Sequence, residues 1–432
     1  MKKLNILLIA FLAYIGISVF VSCSKDDLGP TIFPRGEKPL DRTLGTFALD
    51  TFAKKYMLEP YNMRFIYRME DKGADMQKNL IPADYHKSLQ LAILTKYLWL
   101  DVYAKLAGEG DVFLKKYAPR IIHVIGSPGY NEDGSRTVGV AEGGLKITLM
   151  EVNKLNVNFI EGDHGLNNLF FHTMHHEFAH ILDQSLQRPN SFDLVSQGLY
   201  DREWANKHDS VQCSLGFVTP YASSATTEDW VEVLACYVTY DQTRWDYLVN
   251  SAMTDWEDIE FTLDSFKTRY PGAWDEQIDV MAGNKKDYTL YDRDSVGYLH
   301  QLGNLEYKLA RKVIKRDADG FAMKDAEGKC MYDRDNWNKV DGREVILTKL
   351  QMVREWLKKN WNIDIDELRK EVQNRQYATD ANGDFILDAN GNYINKLTQP
   401  YEGDPSKTLF EYLNEETDGY ENLHQEALMN QN

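Results

Sequence analysis

His175-His176-Glu177-Phe178-Ala179-His180-Ile181-Leu182-Asp183 is the stretch that decides the reading of this chain. Leu169, Phe170, Phe171, Phe178, Ala179, Ile181 and Leu182 recur around it with helical spacing, which predicts a helix over Asn168 to Gln187. On a helix, residues four apart share a face, so His176 and His180 can turn both imidazoles toward one ion. Glu177 stands beside them, where a carboxylate can polarise a metal-bound water. His176-Glu177-Phe178-Ala179-His180 is thus an H-E-x-x-H pattern set in an apolar helix.

Such a site needs a third protein ligand. Thr227-Glu228-Asp229-Trp230-Val231-Glu232 offers two carboxylates four residues apart, again on one helical face, with Thr226 or Thr227 as N-cap of a helix running to about Val238. Alone, this pair would read as an acidic helix start favoured by the helix dipole. With the histidine pair upstream, Glu228 is expected as the third zinc ligand. Glu232 is then the acceptor that fixes a ligand histidine's tautomer. The longer pattern, with glycine three and histidine six residues past the second histidine, fails, because those positions hold Asp183 and Leu186. Asp183, one turn past His180, is a further candidate acceptor behind the ligands. His172 shares the face of His176 but reads more plainly as a helix-start histidine, and His175 points away. Tyr221, seven residues before Glu228, can donate to a developing oxyanion, although among 25 tyrosines a packed loop tyrosine is the plainer reading.

The set resembles the gluzincin peptidases. Tyr221 followed by Glu228-Asp229-Trp230-Val231-Glu232 is similar to the pairing in the catalytic domain of anthrax lethal factor. That likeness implies Glu228 as ligand, Glu232 behind it and Tyr221 at the transition state. The chain is still more similar to the zinc-binding metallopeptidase lipoproteins encoded beside outer-membrane nutrient-import systems, the substrate import-associated zinc metallohydrolases. Tyr61-Asn62, Gly126, Gly143-Gly144, the run His175 to Gln184 and the C-terminal helices carry the likeness, over most of residues 44 to 375. It implies a peptide or protein substrate, and as partners a TonB-dependent outer-membrane importer with its lipoprotein.

The first residues read as those of an exported protein. Lys2 and Lys3 precede an apolar run from Leu4 to Val21, a signal peptide over 1–22. Cys23 follows in a lipobox-like context and is expected to be acylated. Ser24-Lys25-Asp26-Asp27 then resembles the export signal of outward-facing lipoproteins, which predicts a lipid-anchored protein on the outer face of the outer membrane. Residues 23–43, with Pro30, Pro34 and Pro39, form a tether. The formal net charge of −17, with no basic block past the first residues, argues against nucleic acid as a partner. Cys213, Cys236 and Cys330 have neither zinc-knuckle nor redox spacing and are expected as buried, unpaired thiols.

The expected fold is α+β: a zincin-like metallopeptidase domain with a small twisted sheet over helices across 44–270, and a helical and hairpin C-terminal part across 271–432 packing on it. Helices are predicted over Asp84 to Leu106, Val296 to Lys315, Glu344 to Asn360 and Ile365 to Arg375. Strands are predicted at Arg120 to Gly126 and at Gly143 to Leu149, with Ser127 to Gly134 a loop between them. The second strand is taken as a half-exposed edge on which an extended substrate lies. Asp317-Ala318-Asp319-Gly320 and Asp380-Ala381-Asn382-Gly383, each repeated eight residues on, lack the glycine and glutamate positions of a calcium loop and read as hairpin turns. A surface lipoprotein that captures peptide or glycan without cleaving it, and a zinc hydrolase of another amide or ester, are the rival functions.

Overall fold

Apolar residues recur at helical spacing from Leu44, and the chain forms α1 (Phe47–Ala53), which runs through a wider π turn at Lys54–Leu58 to Tyr61. The computed structural model describes residues 39–69, 79–130, 145–206, 209–252 and 342–431, single positions at 323 and 326, and short strands within 136–142, 279–304, 313–314 and 332–333. Cys23, Cys330 and most of the first Asp-Gly repeat lie outside the described residues. Asn62 takes a left-handed conformation (φ 53°), ending the first helical stretch before strand β1 (Arg64–Ile66). Asp84 caps α2 (Tyr85–Thr95), its carboxylate accepting the Lys87 backbone N–H at 2.9 Å. A second π turn, Lys96–Leu100, carries α2 into α3 (Asp101–Leu106), so the helix expected there forms with a widened middle.

Strands β2 (Ile121–Val124), β3 (Gly139–Glu142) and β4 (Lys146–Leu149) complete a four-stranded sheet of order β1-β2-β4-β3. Neighbours are parallel except β3, which runs antiparallel to β4. This corrects the expectation for Gly144 to Leu149. β4 is an inner strand, paired on both sides, with Ile147, Thr148 and Leu149 all buried. Its alternating pattern suggested one wet face, but paired flanks and cover on both faces bury Thr148 as well. The edge belongs to β3, whose Gly-Val-Ala-Glu sequence has too little alternation to announce a strand. The loop expected from Ser127 also contains a strand, since Gly129–Tyr130 pairs with Arg136–Thr137.

The remaining large elements are helices α4 (His172–Ser185), α5 (Thr226–Thr239), α6 (Gly342–Trp361), α7 (Ile365–Gln376) and α8 (Leu409–Met429). α5 packs against α4, α6 and α7 and is buried from Asp229 to Cys236. Its Trp230 meets Phe192 at 4.8 Å and Trp356 of α6 at 5.2 Å. A capping box of Thr408 and Glu411 starts α8, which packs on α1. One continuous core joins residues from Leu49 to Leu409, so the C-terminal helices share the core of the sheet and α4.

The helix expected over Val296 to Lys315 does not form. Leu299–Asn304 is a strand antiparallel to Asp287–Arg293, and Val313–Ile314 pairs with Tyr332–Asp333. Tyr288-Thr289-Leu290-Tyr291 is rich in strand formers and supplies the partner. Gly303 costs about 1 kcal/mol inside a helix, which weakens the competing pattern. At the second Asp-Gly repeat the chain does make turns: Asp380 and Asp388 accept backbone N–H groups two and four residues ahead, and Gly383 and Gly391 have φ of 89° and 83°. Cys213 and Cys236 are buried and form no disulfide among the described residues. No helix among the described residues is long and apolar enough to cross a membrane.

Candidate metal centre

Helix α4 is fixed from behind by aromatic packing. Phe178 meets Trp99 at 5.1 Å, Tyr103 at 4.8 Å and Phe113 at 5.8 Å. On the same face the buried His175 Nδ1 lies 2.9 Å from the Tyr103 hydroxyl, and burial pushes its pKa down to about 3. These contacts turn the opposite face of α4, with His172, His176 and His180, toward α5.

There His176 Nε2 lies 3.2 Å and His180 Nε2 3.3 Å from one and the same atom, Glu228 Oε2. The three donor atoms all lie within 4.8 Å of one another. A tetrahedral zinc with bonds of about 2.0–2.1 Å sets its ligand atoms roughly 3.3 Å apart. The residues therefore fit the ion in donor type, number and spacing. The electrostatics agree. Burial opposes a charge on His176, yet Glu228 and Glu232 outweigh it and push His176 up to about 10. Burial likewise opposes ionisation of Glu228, and its hydrogen bonds to the two histidines hold it down to about 2. Both shifts have one cause: the imidazoles and carboxylates lie close enough that each stabilises the other's charged form.

Glu232, one turn along α5, is only 3% exposed. Its Oε1 accepts from His176 Nδ1 at 2.7 Å and from His172 Nε2 at 2.8 Å, and its Oε2 accepts from the Thr219 hydroxyl at 2.6 Å. Donation from Nδ1 leaves the His176 Nε2 lone pair facing Glu228 and His180. A second group, His172, Glu232 and Cys236, has donor atoms equally close. There the Glu232 oxygens are already taken by three donors, and burial holds the Cys236 thiol well above its usual pKa. The first group is the better metal site.

Glu177 is 7% exposed and lines the same cleft, a cavity of about 380 Å³. Burial raises its pKa above the ordinary carboxylate value, against the pull of His176 and His180. Tyr221 opens a short turn (Tyr221–Ser224) before α5, and its ring lies 5.9 Å from that of His176 and 5.0 Å from Trp204. Burial and the Glu228 carboxylate hold its hydroxyl protonated far above the usual phenol range.

Other expected positions come out differently. Asp183 does not reach a ligand histidine: its oxygens accept from the Arg188 backbone N–H and from Arg188 Nη1, both at 2.7 Å. Arg188 Nη2 donates onward to Thr226 Oγ1 at 3.0 Å, so Asp183 ties the end of α4 to the start of α5. Thr226 is consequently no N-cap; the helix starts after Ala225 without a side-chain cap. His172 is no plain helix-start residue, since it shares Glu232 with His176. Its place one turn before His176 was the available signal. Thr219 carried no signal beyond lying two residues before Tyr221. Lys349, on α6, also went unseen. Its ammonium, wholly buried, lies 2.6 Å from Asp229 Oδ2 and donates to the Gly216 carbonyl at 2.7 Å, joining α6 to the loop and helix that carry Thr219, Tyr221 and Glu228.

A family model described as "Putative zinc-binding metallo-peptidase" matches residues 44–366. Among solved structures, the chain is similar to a crystal structure of "a putative zinc-binding metallo-peptidase from Bacteroides caccae ATCC 43185", with 29% sequence identity over 80% of this chain and 95% of that one, at a TM-score of 0.49. No curated protein matches. Because the family model spans well over half of the sequence and includes both helices of the site, the chain belongs to this zinc-binding metallopeptidase family.

Proposed function

We propose that the chain is a zinc-dependent hydrolase of gluzincin type that cleaves peptide bonds. The observation that carries this reading is the convergence of His176 Nε2 and His180 Nε2 on Glu228 Oε2 at 3.2 and 3.3 Å, with Glu177 in the same cleft. His176, His180 and Glu228 would hold the ion. Bound there, zinc supplies Lewis acidity and lowers the pKa of a water. Glu177, its proton affinity raised by burial, takes the proton of the attacking water and returns it to the leaving nitrogen. Tyr221, kept protonated, donates its hydroxyl hydrogen to the oxygen on which charge develops. Glu232 and His172 hold the His176 ring, and Trp204 steadies Tyr221.

A digest of a peptide library by the full chain tests the reading. Cleavage by the wild type and loss of roughly 10²–10⁴ in rate for Glu177→Gln are expected. Equal rates in both would refute it. The same proposal places the protein on the outer face of the outer membrane, held by acyl chains on Cys23 beside a TonB-dependent importer and its lipoprotein. Support for that part comes from the N-terminal sequence and the resemblance of the whole chain. Cys23→Ala should abolish labelling by a fatty-acid probe, and persistent labelling would contradict the anchor.

A further inference from the structure

We infer that Arg244 sets the substrate class of the cleft: a peptide with a carboxylate a few residues from the bond cleaved, supplied by an acidic side chain or a free C-terminus. The inference rests on the hydrolase reading above. Among the described residues lining the cavity, Arg244 alone carries a permanent positive charge. Its guanidinium carbon lies over Tyr240, 3.6 Å from the ring centre, and Tyr240 stacks on His172 at 6.2 Å and 25°. His172 in turn lies 6.3 Å from His176, ring to ring. At ~3.5 Å per extended residue, these steps put Arg244 within about five residues of the His176 ring.

The side chain is fixed in place but not saturated. It is 39% exposed, and its carboxylate partner among the described residues is Glu161, at 3.5 Å. That is longer than the ~2.7–2.9 Å of a charge-assisted bond. Glu161 is held back by neutral donors, since its other oxygen accepts from the Tyr377 hydroxyl and the Asn167 amide, both at 2.6 Å. Asp241 also lies near, but its carboxylate accepts the Arg244 backbone N–H at 2.7 Å. A guanidinium has five donors in a planar fork, so an edge remains for a bidentate carboxylate in the cleft. The acidic metal centre at one end and this cation at the other give the cleft a polarity that a neutral or basic peptide would not match.

The test uses the full zinc-loaded chain and peptides differing only in Glu against Gln, or in a free against an amidated C-terminus. The wild type should favour the carboxylate member of one pair by about 10-fold or more in kcat/KM. The pair that shows the preference identifies the source of the carboxylate. Arg244→Gln should erase the preference while zinc content stays at the wild-type value and the chain still unfolds cooperatively. Binding of the same peptides to Glu177→Gln, followed by calorimetry, gives a readout without turnover, and Arg244→Gln in that background should again equalise each pair. Equal treatment of both pairs by the wild type, or a preference surviving in Arg244→Gln, would overturn the inference. A wild type that binds the carboxylate peptides selectively but cleaves none would instead count against the peptidase reading while upholding the role of Arg244.

Discussion

Replacing Glu232 by alanine isolates the part of the site that orients a ligand without being one. Three donors meet its carboxylate, at 2.6, 2.7 and 2.8 Å, in a place that is 3% exposed. Solvent screening there is slight, and bonds to a charged group contribute about 1.5–3 kcal/mol each. Not all of that bears on zinc. Only the His176 bond fixes the tautomer and ring angle of a ligand, and losing such a partner weakens metal binding by about 10–100-fold, or roughly 1.4–2.8 kcal/mol. The rest falls on stability, as the half-buried His172 and Thr219 lose their acceptor. Glu232→Ala should therefore bind zinc with an affinity lowered by that factor and melt at a lower temperature. Thr219→Val, which removes one bond to Glu232 and one from the Ala222 backbone N–H but none to a ligand, should shift zinc affinity by less than about 10-fold. Competition with a chromophoric chelator reads the affinity, and thermal denaturation confirms folding. A folded Glu232→Ala with wild-type affinity would refute the role. A Glu232→Ala that emptied the site while Glu228→Ala kept zinc would show that the ligand is one turn further along α5.

Lys349→Met should cost about 3–5 kcal/mol in urea unfolding, because it leaves the fully buried Asp229 without its cation; Asp229→Asn added to it should restore much of the loss, and additive losses would contradict the pairing. His175 gives a pH dependence with a definite sign. Its folded pKa, about 3, lies below the usual 6.5, so the unfolded chain takes up the proton first. Its contribution is full above pH 6.5 and is lost as pH falls, by about 1.4 kcal/mol at pH 5.5. The wild type should thus lose stability between pH 7 and 5.5 more steeply than His175→Gln, and equal slopes would refute the assignment.

What the sequence reveals here, and what it hides, follows from the range of each interaction. The two helices of the site announce themselves because a four-residue spacing is a local property, and it puts His176 with His180 and Glu228 with Glu232 on single faces. Interactions between elements leave no such trace. Lys349 lies 120 residues beyond Asp229, and no periodicity in α6 distinguishes a lysine that reaches into the core from one in solvent. Asp183 looked like a partner for His180 because both lie on α4, but Arg188, just past the helix end, competes for both its oxygens. The inner position of β4 depended on β3, a strand formed by pairing rather than by propensity. The strands at 299–304 likewise needed Asp287–Arg293 as a partner before an ambiguous apolar pattern became a sheet.

The account stands on three side chains sharing one ion, and metal content tests that most directly. The full chain, purified without added chelator and measured by elemental analysis, should hold about one zinc per chain. His176→Ala, His180→Ala and Glu228→Ala should each lose most of it, while Glu177→Gln keeps it. Zinc at wild-type level in all three ligand variants, or a wild type that binds none when zinc is supplied, would contradict the account.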